Sequence, residues 1–202
     1  MNTVKKTIFA ILLVGAFTSP ALCAAIMNEF HYDNVGTDVG EFLEIVLTDG
    51  TSAADVTATF YNGSVGLSYG SYNLDTAFTF HGTLADGNRY YSRLLPGLQN
   101  GSQDGIAVDI NGSVEEFWSY EGFFIATDGP ANSLLSVDVG VAELGTEPIG
   151  SSLQRMDFGP MWVLTQGSNT QGEINIPEPA TLLVLGLGLG LGLLPRNRKL
   201  AA

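Results

Sequence analysis

The chain is 202 residues long, with 21 acidic and 8 basic side chains and a formal net charge of −13. Five of the bases (Lys5, Lys6, Arg196, Arg198, Lys199) and one acid (Glu178) lie outside residues 25–176, so that segment sets 3 arginines against 20 carboxylates, a charge of −17, with no lysine. Nucleic-acid binding begins with phosphate neutralisation by Lys and Arg, so this balance argues against a nucleic-acid partner; an acidic surface instead favours solubility and draws cations.

Residues 1–25 read as a secretory signal peptide. Lys5 and Lys6 form the charged start, Ile8 to Phe17 an apolar stretch too short to span a membrane, and Pro20 to Ala25 a small-residue cleavage region. Cleavage after Cys23, Ala24 or Ala25 fits equally. Cys23 is the only cysteine, and Leu22 before it is larger than a lipidation site accepts. The mature chain then has no disulfide and no thiolate metal site. The 152 residues from Ala25 to Ile176 must be held by their core, and one domain of that size buries roughly two-thirds of its unfolded surface.

Between the two ends the signals are those of an all-β domain, read as residues 26–176. Short runs of β-branched and aromatic residues alternate with Gly, Asn, Asp and Ser. Strands are predicted over Ala25–Tyr32, Glu41–Thr48, Val56–Tyr61, Ala77–Thr79, Arg89–Leu95, Gly105–Ile110, Val114–Tyr120 and Ser151–Arg155. No stretch keeps a helical apolar period for three turns. Asn111-Gly112 accepts positive φ and closes a hairpin. A two-residue turn sets Ile106 opposite Phe117, whereas a three-residue loop with a bulge sets Val108 opposite Val114. Phe42 to Leu47 is apolar on nearly both faces and reads as a central strand, with Glu44 in need of a partner if buried. Arg155 is the candidate. Seven or eight such strands make a sandwich.

The chemistry-bearing residues are few. Gly66-Leu67-Ser68-Tyr69-Gly70 matches the G-x-S-x-G nucleophile elbow, which needs a strand-to-helix turn and a histidine beyond. No helix is predicted after it, and His81 is the only downstream histidine. Ser68 thus marks the alternative function, an extracellular hydrolase of esterase type or a metal-dependent one. His31 reads as a polar strand residue bonded to a neighbour. Asp33, Asp38 and Glu41 share a glycine-containing loop and are the calcium candidates; the competing role is capping of backbone N–H groups. Catalytic zinc is disfavoured because no His or Cys cluster has ligand spacing. Asn62, Asn100 and Asn111 each head an Asn-Gly-Ser triplet that reads as a turn.

The C-terminus, residues 177–202, carries the most specific pattern. Pro177-Glu178-Pro179 is rigid and extended. Ala180 to Leu194 is an uncharged run of 15 residues, against the about 20 that a spanning helix needs. Arg196, Arg198 and Lys199 follow it, as in a stop-transfer sequence. This order resembles the PEP-CTERM sorting signal of Gram-negative exported proteins. The resemblance implies recognition and cleavage by an exosortase, transient anchoring in the inner membrane, and delivery to the cell surface or an exopolysaccharide matrix. A plain tail anchor is the other reading.

A second resemblance covers the domain. Ile26 to Asn34, Gly36-Thr37-Asp38 and Gly40 to Ile45, with Leu98 to Gly105, Ser119 to Gly122, Gly150 to Arg155, Trp162, Gly172 and Asn175, are similar to bacterial lamin-tail-like domains, which are often fused to extracellular nucleases. It implies an immunoglobulin-like β-sandwich without catalytic activity or cofactor. No nuclease domain accompanies it here. The two resemblances together imply a non-enzymatic structural or binding module, with exopolysaccharide or surface proteins as partners.

Overall fold

A computed structural model describes residues 24–48 and 50–175. The expected signal peptide and C-terminal membrane tail lie outside these residues, apart from the signal's last two positions.

Two sheets hold the chain. The first has six strands in the order β11-β10-β1-β2-β6-β5 and the second five in the order β4-β3-β7-β8-β9. The strands are β1 Ala25–His31, β2 Phe42–Leu47, β3 Val56–Asn62, β4 Leu67–Asn73, β5 Thr79–Thr83, β6 Arg89–Leu94, β7 Gly105–Ile110, β8 Ser113–Ser119, β9 Val137–Asp138, β10 Ser152–Arg155 and β11 Trp162–Thr165. All pairings are antiparallel except the parallel β8–β9 contact. Among the described residues the one α-helix, α1, is the single turn Leu74–Ala77, capped by the Asn73 side chain accepting from Asp75 N at 3.2 Å.

The core lies between the sheets. Met27, Phe30, Leu43 and Ile45 of the first sheet meet Val56, Phe60, Ile106 and Val108 of the second. In β1 the inward positions run 25, 27, then 30 and 32, which breaks strict alternation. A bulge between Met27 and Glu29 reconciles the two halves, because one extra residue flips the faces beyond it. A second apolar cluster, with Tyr61, Ala107, Phe117 and Phe124, lies on the other side of β3, β7 and β8. The 123–136 loop covers it, and Tyr61 Oη ties that loop down through Asp128 O at 3.2 Å and Ala131 N at 3.1 Å.

An aromatic chain and one ion pair join the sheets. Tyr32 and Tyr120 stack at 4.1 Å, Phe30 meets Trp162 edge-on at 5.2 Å, and Trp162 meets Trp118 at 5.8 Å. Beside them Arg155 of β10 pairs with Glu116 of β8, both buried. Met27 N donates to the second Glu116 oxygen at 2.7 Å.

Four sequence expectations change. Arg155 serves Glu116, not Glu44, because β10 and β8 face each other across the core while Glu44 points out of the first sheet. Ala77–Thr79 is not a strand: Ala77 ends the capped turn α1 and the strand starts at Thr79. The hairpin keeps its two-residue turn, with Asn111 at φ 52° and Gly112 at 83° and Ile110 opposite Ser113. A bulge between Val108 and Asp109 then shifts the register, so Ile106 faces Trp118 and Val108 faces Glu116, and neither pairing read from the turn alone occurs. Strands β4, β9 and β11 come in addition. β4 is a mostly polar edge strand, β9 has two residues, and β11 pairs in full with β10.

The inter-sheet pair yields a prediction. Arg155→Met leaves Glu116 buried without its cation, and breaking such a pair costs about 3–5 kcal/mol. Urea unfolding of the full chain should show that loss, with part of it recovered by adding Glu116→Gln.

Candidate functional site

On the outward face of the first sheet, Glu29 of β1 and Glu44 of β2 stand directly opposite each other, and both are fully buried. Two carboxylates so placed repel and have lost their water. Donors replace the water. Glu29 accepts from Ser152 Oγ at 2.6 Å, Gln154 Nε2 at 3.1 Å, Thr170 N at 2.9 Å and Thr170 Oγ1 at 2.8 Å. Glu44 accepts from Asn28 Nδ2 at 2.8 Å and from Gly172 N.

Half of these donors come from one segment, residues 168–175, which lies across the sheet as a strap. Ser168 O receives Gln154 Nε2 at 3.2 Å, and Gln171 Nε2 reaches Ser92 Oγ on β6 at 2.9 Å. Asn175 Nδ2 donates to Arg155 O at 2.8 Å and Asn28 O at 3.0 Å. Gly172 is required where it stands: its φ is +84°, and a Cβ there would lie 2.7 Å from His81 Nδ1. Burial pushes Glu44 up to about 8 against the pull of Gly172 N and Asn28, and pushes Glu29 up as well.

Asn175 ends the described residues. The sorting candidates Pro177, Glu178, Pro179, Arg196, Arg198 and Lys199 lie outside the described residues. Among those residues no helix is long and apolar enough to cross a membrane.

Of the calcium candidates, Asp33 and Asp38 stand together, while Glu41 is engaged with another loop. Glu41 accepts from Gly97 N at 2.8 Å and holds the β6–β7 loop. Asp38 accepts from Asn100 Nδ2 at 3.1 Å and distantly from Asn34 N at 3.5 Å. Asp33 is pushed up to about 6, by burial first and then by the charge of Asp38 and their mutual hydrogen bond. Among the described residues no group of three or more His, Cys, Asp or Glu side chains is arranged to hold a metal ion.

His31 and Glu143 form a buried centre next to this loop. Glu143 accepts from His31 Nδ1 at 2.8 Å, Tyr32 N at 2.7 Å and Asp33 N at 3.0 Å. Asn34 Nδ2 meets His31 Nε2 at 2.9 Å and donates to Val39 O at 2.8 Å, which assigns the ring proton to Nδ1. Burial pulls the His31 pKa down, but the bond to Glu143 and its charge outweigh that and the net shift is upward. His31 is thus bonded to a neighbour at 34 and to a distant residue at 143. It organises the loop and has no exposed face.

Ser68 lies on edge strand β4, where its N and Oγ bond Asp128 at 2.8 and 3.1 Å. His81, on β5 of the other sheet, bonds Ser92 Oγ at 2.6 Å. The structure therefore does not bring the serine and the histidine into a hydrogen-bonded pair. Nothing in the sequence marks Glu143, Glu116 or Thr170, since neither a carboxylate's burial nor its distant donor has a local signature. Gly172 and Asn175 stand out only through the lamin-tail resemblance.

The raised pKa values of Glu29 and Glu44 make stability depend on pH. A group whose folded pKa lies above its unfolded one stabilises the fold below the unfolded value, and that contribution is lost as pH rises through the folded value. For Glu44 the window runs from its ordinary 4.5 to about 8. At about 1.4 kcal/mol per unit, unfolding free energy should fall by roughly 2–4 kcal/mol between pH 5 and pH 8. Urea titrations of the full chain at the two pH values read this, and Glu44→Gln should flatten the slope.

The comparisons with known proteins bear on the point where the strap ends. Residues 175–199 match the family of the PEP-CTERM protein-sorting motif. Searches of curated proteins and of solved structures each gave no match. The matched stretch begins at Asn175, the residue that the strap pins to β1. A motif of this kind implies export, a C-terminal membrane-anchoring sorting signal and an exosortase as its reader, so over its C-terminal end this chain carries the sorting motif of exosortase-processed exported proteins.

Proposed function

We propose that the chain is a non-enzymatic protein of the cell surface or extracellular matrix: a lamin-tail-like, immunoglobulin-like sandwich that residues 1–25 send for export and the tail hands to an exosortase. The observation that carries this reading is the sorting motif at residues 175–199. The order of its parts, Pro177-Glu178-Pro179, an apolar run, then Arg196, Arg198 and Lys199, supports cleavage after a brief stay in the inner membrane. The apolar run is short for a permanent anchor and holds four glycines, 186, 188, 190 and 192, each costing roughly 1 kcal/mol of helix propensity. In sequence, only Ile176 separates Asn175, which bonds Asn28 O and Arg155 O, from Pro177. The non-enzymatic part is supported by the separate bonding of Ser68 and His81.

In a host with a working exosortase, intact-mass analysis should show a protein lacking both the leader and the sequence after the Pro-Glu-Pro region. Replacing Pro177, Glu178 and Pro179 by alanine should leave the full-length tail in the inner membrane. A wild-type C-terminus that persists in such a host argues for a plain anchor. Ester, glycan and nucleic-acid substrates should show no turnover, and turnover abolished by Ser68→Ala would reassign the chain as a hydrolase.

A further inference from the structure

A cleft of about 230 Å³ opens at one end of the sandwich, between edge strand β4 and the β6–β7 loop, lined by Phe60, Tyr69, Tyr72, Arg93, Leu94 and Pro96 among others. The Arg93 guanidinium lies 4.2 Å over the Tyr72 ring, and its Nη1 donates to Ala77 O at 2.6 Å. Its Nε is buried with no partner. Among the described residues Arg93 makes no ion pair with a carboxylate, although the domain is rich in them. Tyr69 is 41 % exposed and Leu94 59 %, which leaves an open apolar rim.

The cleft is already built. Gly97 N bonds Glu41 Oε2 at 2.8 Å, Leu98 N bonds Leu95 O at 3.0 Å, and Gln99 N bonds Tyr69 Oη at 3.2 Å. A preformed site loses less to ordering when it binds. The same loop continues into a polar basin of about 370 Å³, where Asn62, Ser64, Gln99, Asn100 and Ser102 offer amides and hydroxyls.

We propose that this cleft binds a sugar ring bearing a single carboxylate, a uronate within an otherwise neutral glycan. The proposal rests on the reading of the sandwich as a binding module and names its ligand class. Arginine takes a carboxylate through paired N–H donors, and a guanidinium backed by an aromatic ring is preorganised for it. The tyrosine and proline surfaces suit the C–H face of a pyranose, as apolar linings with a few placed polar groups do in ligand sites generally. The basin's amides and hydroxyls match the hydroxyls of a neighbouring sugar. Charge narrows the choice further. A domain at −17 between residues 25 and 176 repels a dense polyanion wherever their charges come within the about 8 Å screening length of physiological salt. One carboxylate feels chiefly the guanidinium next to it.

The test uses the full chain in mild detergent, ¹⁵N-labelled, titrated in parallel with D-glucuronate, D-glucose and acetate. Glucuronate should shift the Arg93 Nε–H resonance and bind at least about tenfold tighter than either comparator, which is about 1.4 kcal/mol. Arg93→Gln should remove this preference for the acid. Tyr69→Ala, a change at a half-exposed edge residue, should weaken glucuronate several-fold without unfolding the chain. No shift with glucuronate overturns the proposal. Equal binding of acetate overturns the sugar, and equal binding of glucose overturns the carboxylate. Tail processing is read by mass in a different experiment, so either reading can fail while the other stands.

Discussion

The constraint behind this architecture is a shortage of cations around buried carboxylates. Glu29, Glu44, Glu116 and Glu143 are all buried, while the segment from residue 25 to 176 has three arginines. Only Glu116 receives one of them. The other three must be satisfied by N–H and O–H donors, because a buried carboxyl group without water or partner is too costly to keep. Glu143 draws on His31 and two consecutive backbone amides. Glu29 and Glu44 draw on a strap supplied by the chain's own C-terminal end.

That solution joins stability to the residue at which the sorting motif begins. The strap supplies Thr170 and Gly172 to the paired carboxylates and ends at Asn175, whose amide bridges β1 and β10. The same residue opens the sorting motif. Under the proposed function, cutting after the Pro-Glu-Pro region leaves the strap with the sandwich, so release does not cost the domain its capping donors. Raised Glu29 and Glu44 also tie the strap to pH, since each holds its proton more firmly folded than unfolded.

One end of the sandwich, where His31, Phe42 and Leu94 stand in register, carries two regions that differ in kind. Around residues 31–34 and 143–147, acids and backbone amides form a closed network in which Glu147 accepts from Leu144 N at 2.8 Å and Thr146 N at 3.0 Å. Around Arg93 the surface is aromatic and open, with a cation that no carboxylate claims. Glu41 belongs functionally to the second region, because it supports the loop that walls the cleft.

The sequence alone determined the all-β class, most of the core strands and the tail's sorting pattern. These are local properties: alternation of apolar residues, the Asn111-Gly112 turn, and the uninterrupted order of a rigid tripeptide, an apolar run and basic residues. Only the tertiary structure decided what each buried charge meets. Glu44 and Arg155 looked like partners by charge, but they point to opposite faces of the first sheet, and a face is fixed by register, not by composition. The bulges at Met27/Glu29 and Val108/Asp109 set that register, and nothing in the adjacent residues announces them. The strap was equally hidden, because Thr170, Gly172 and Asn175 read as loop until the sheet they cross is folded, and Thr170 and Gly172 lie more than 120 residues after the β1 and β2 carboxylates they cap.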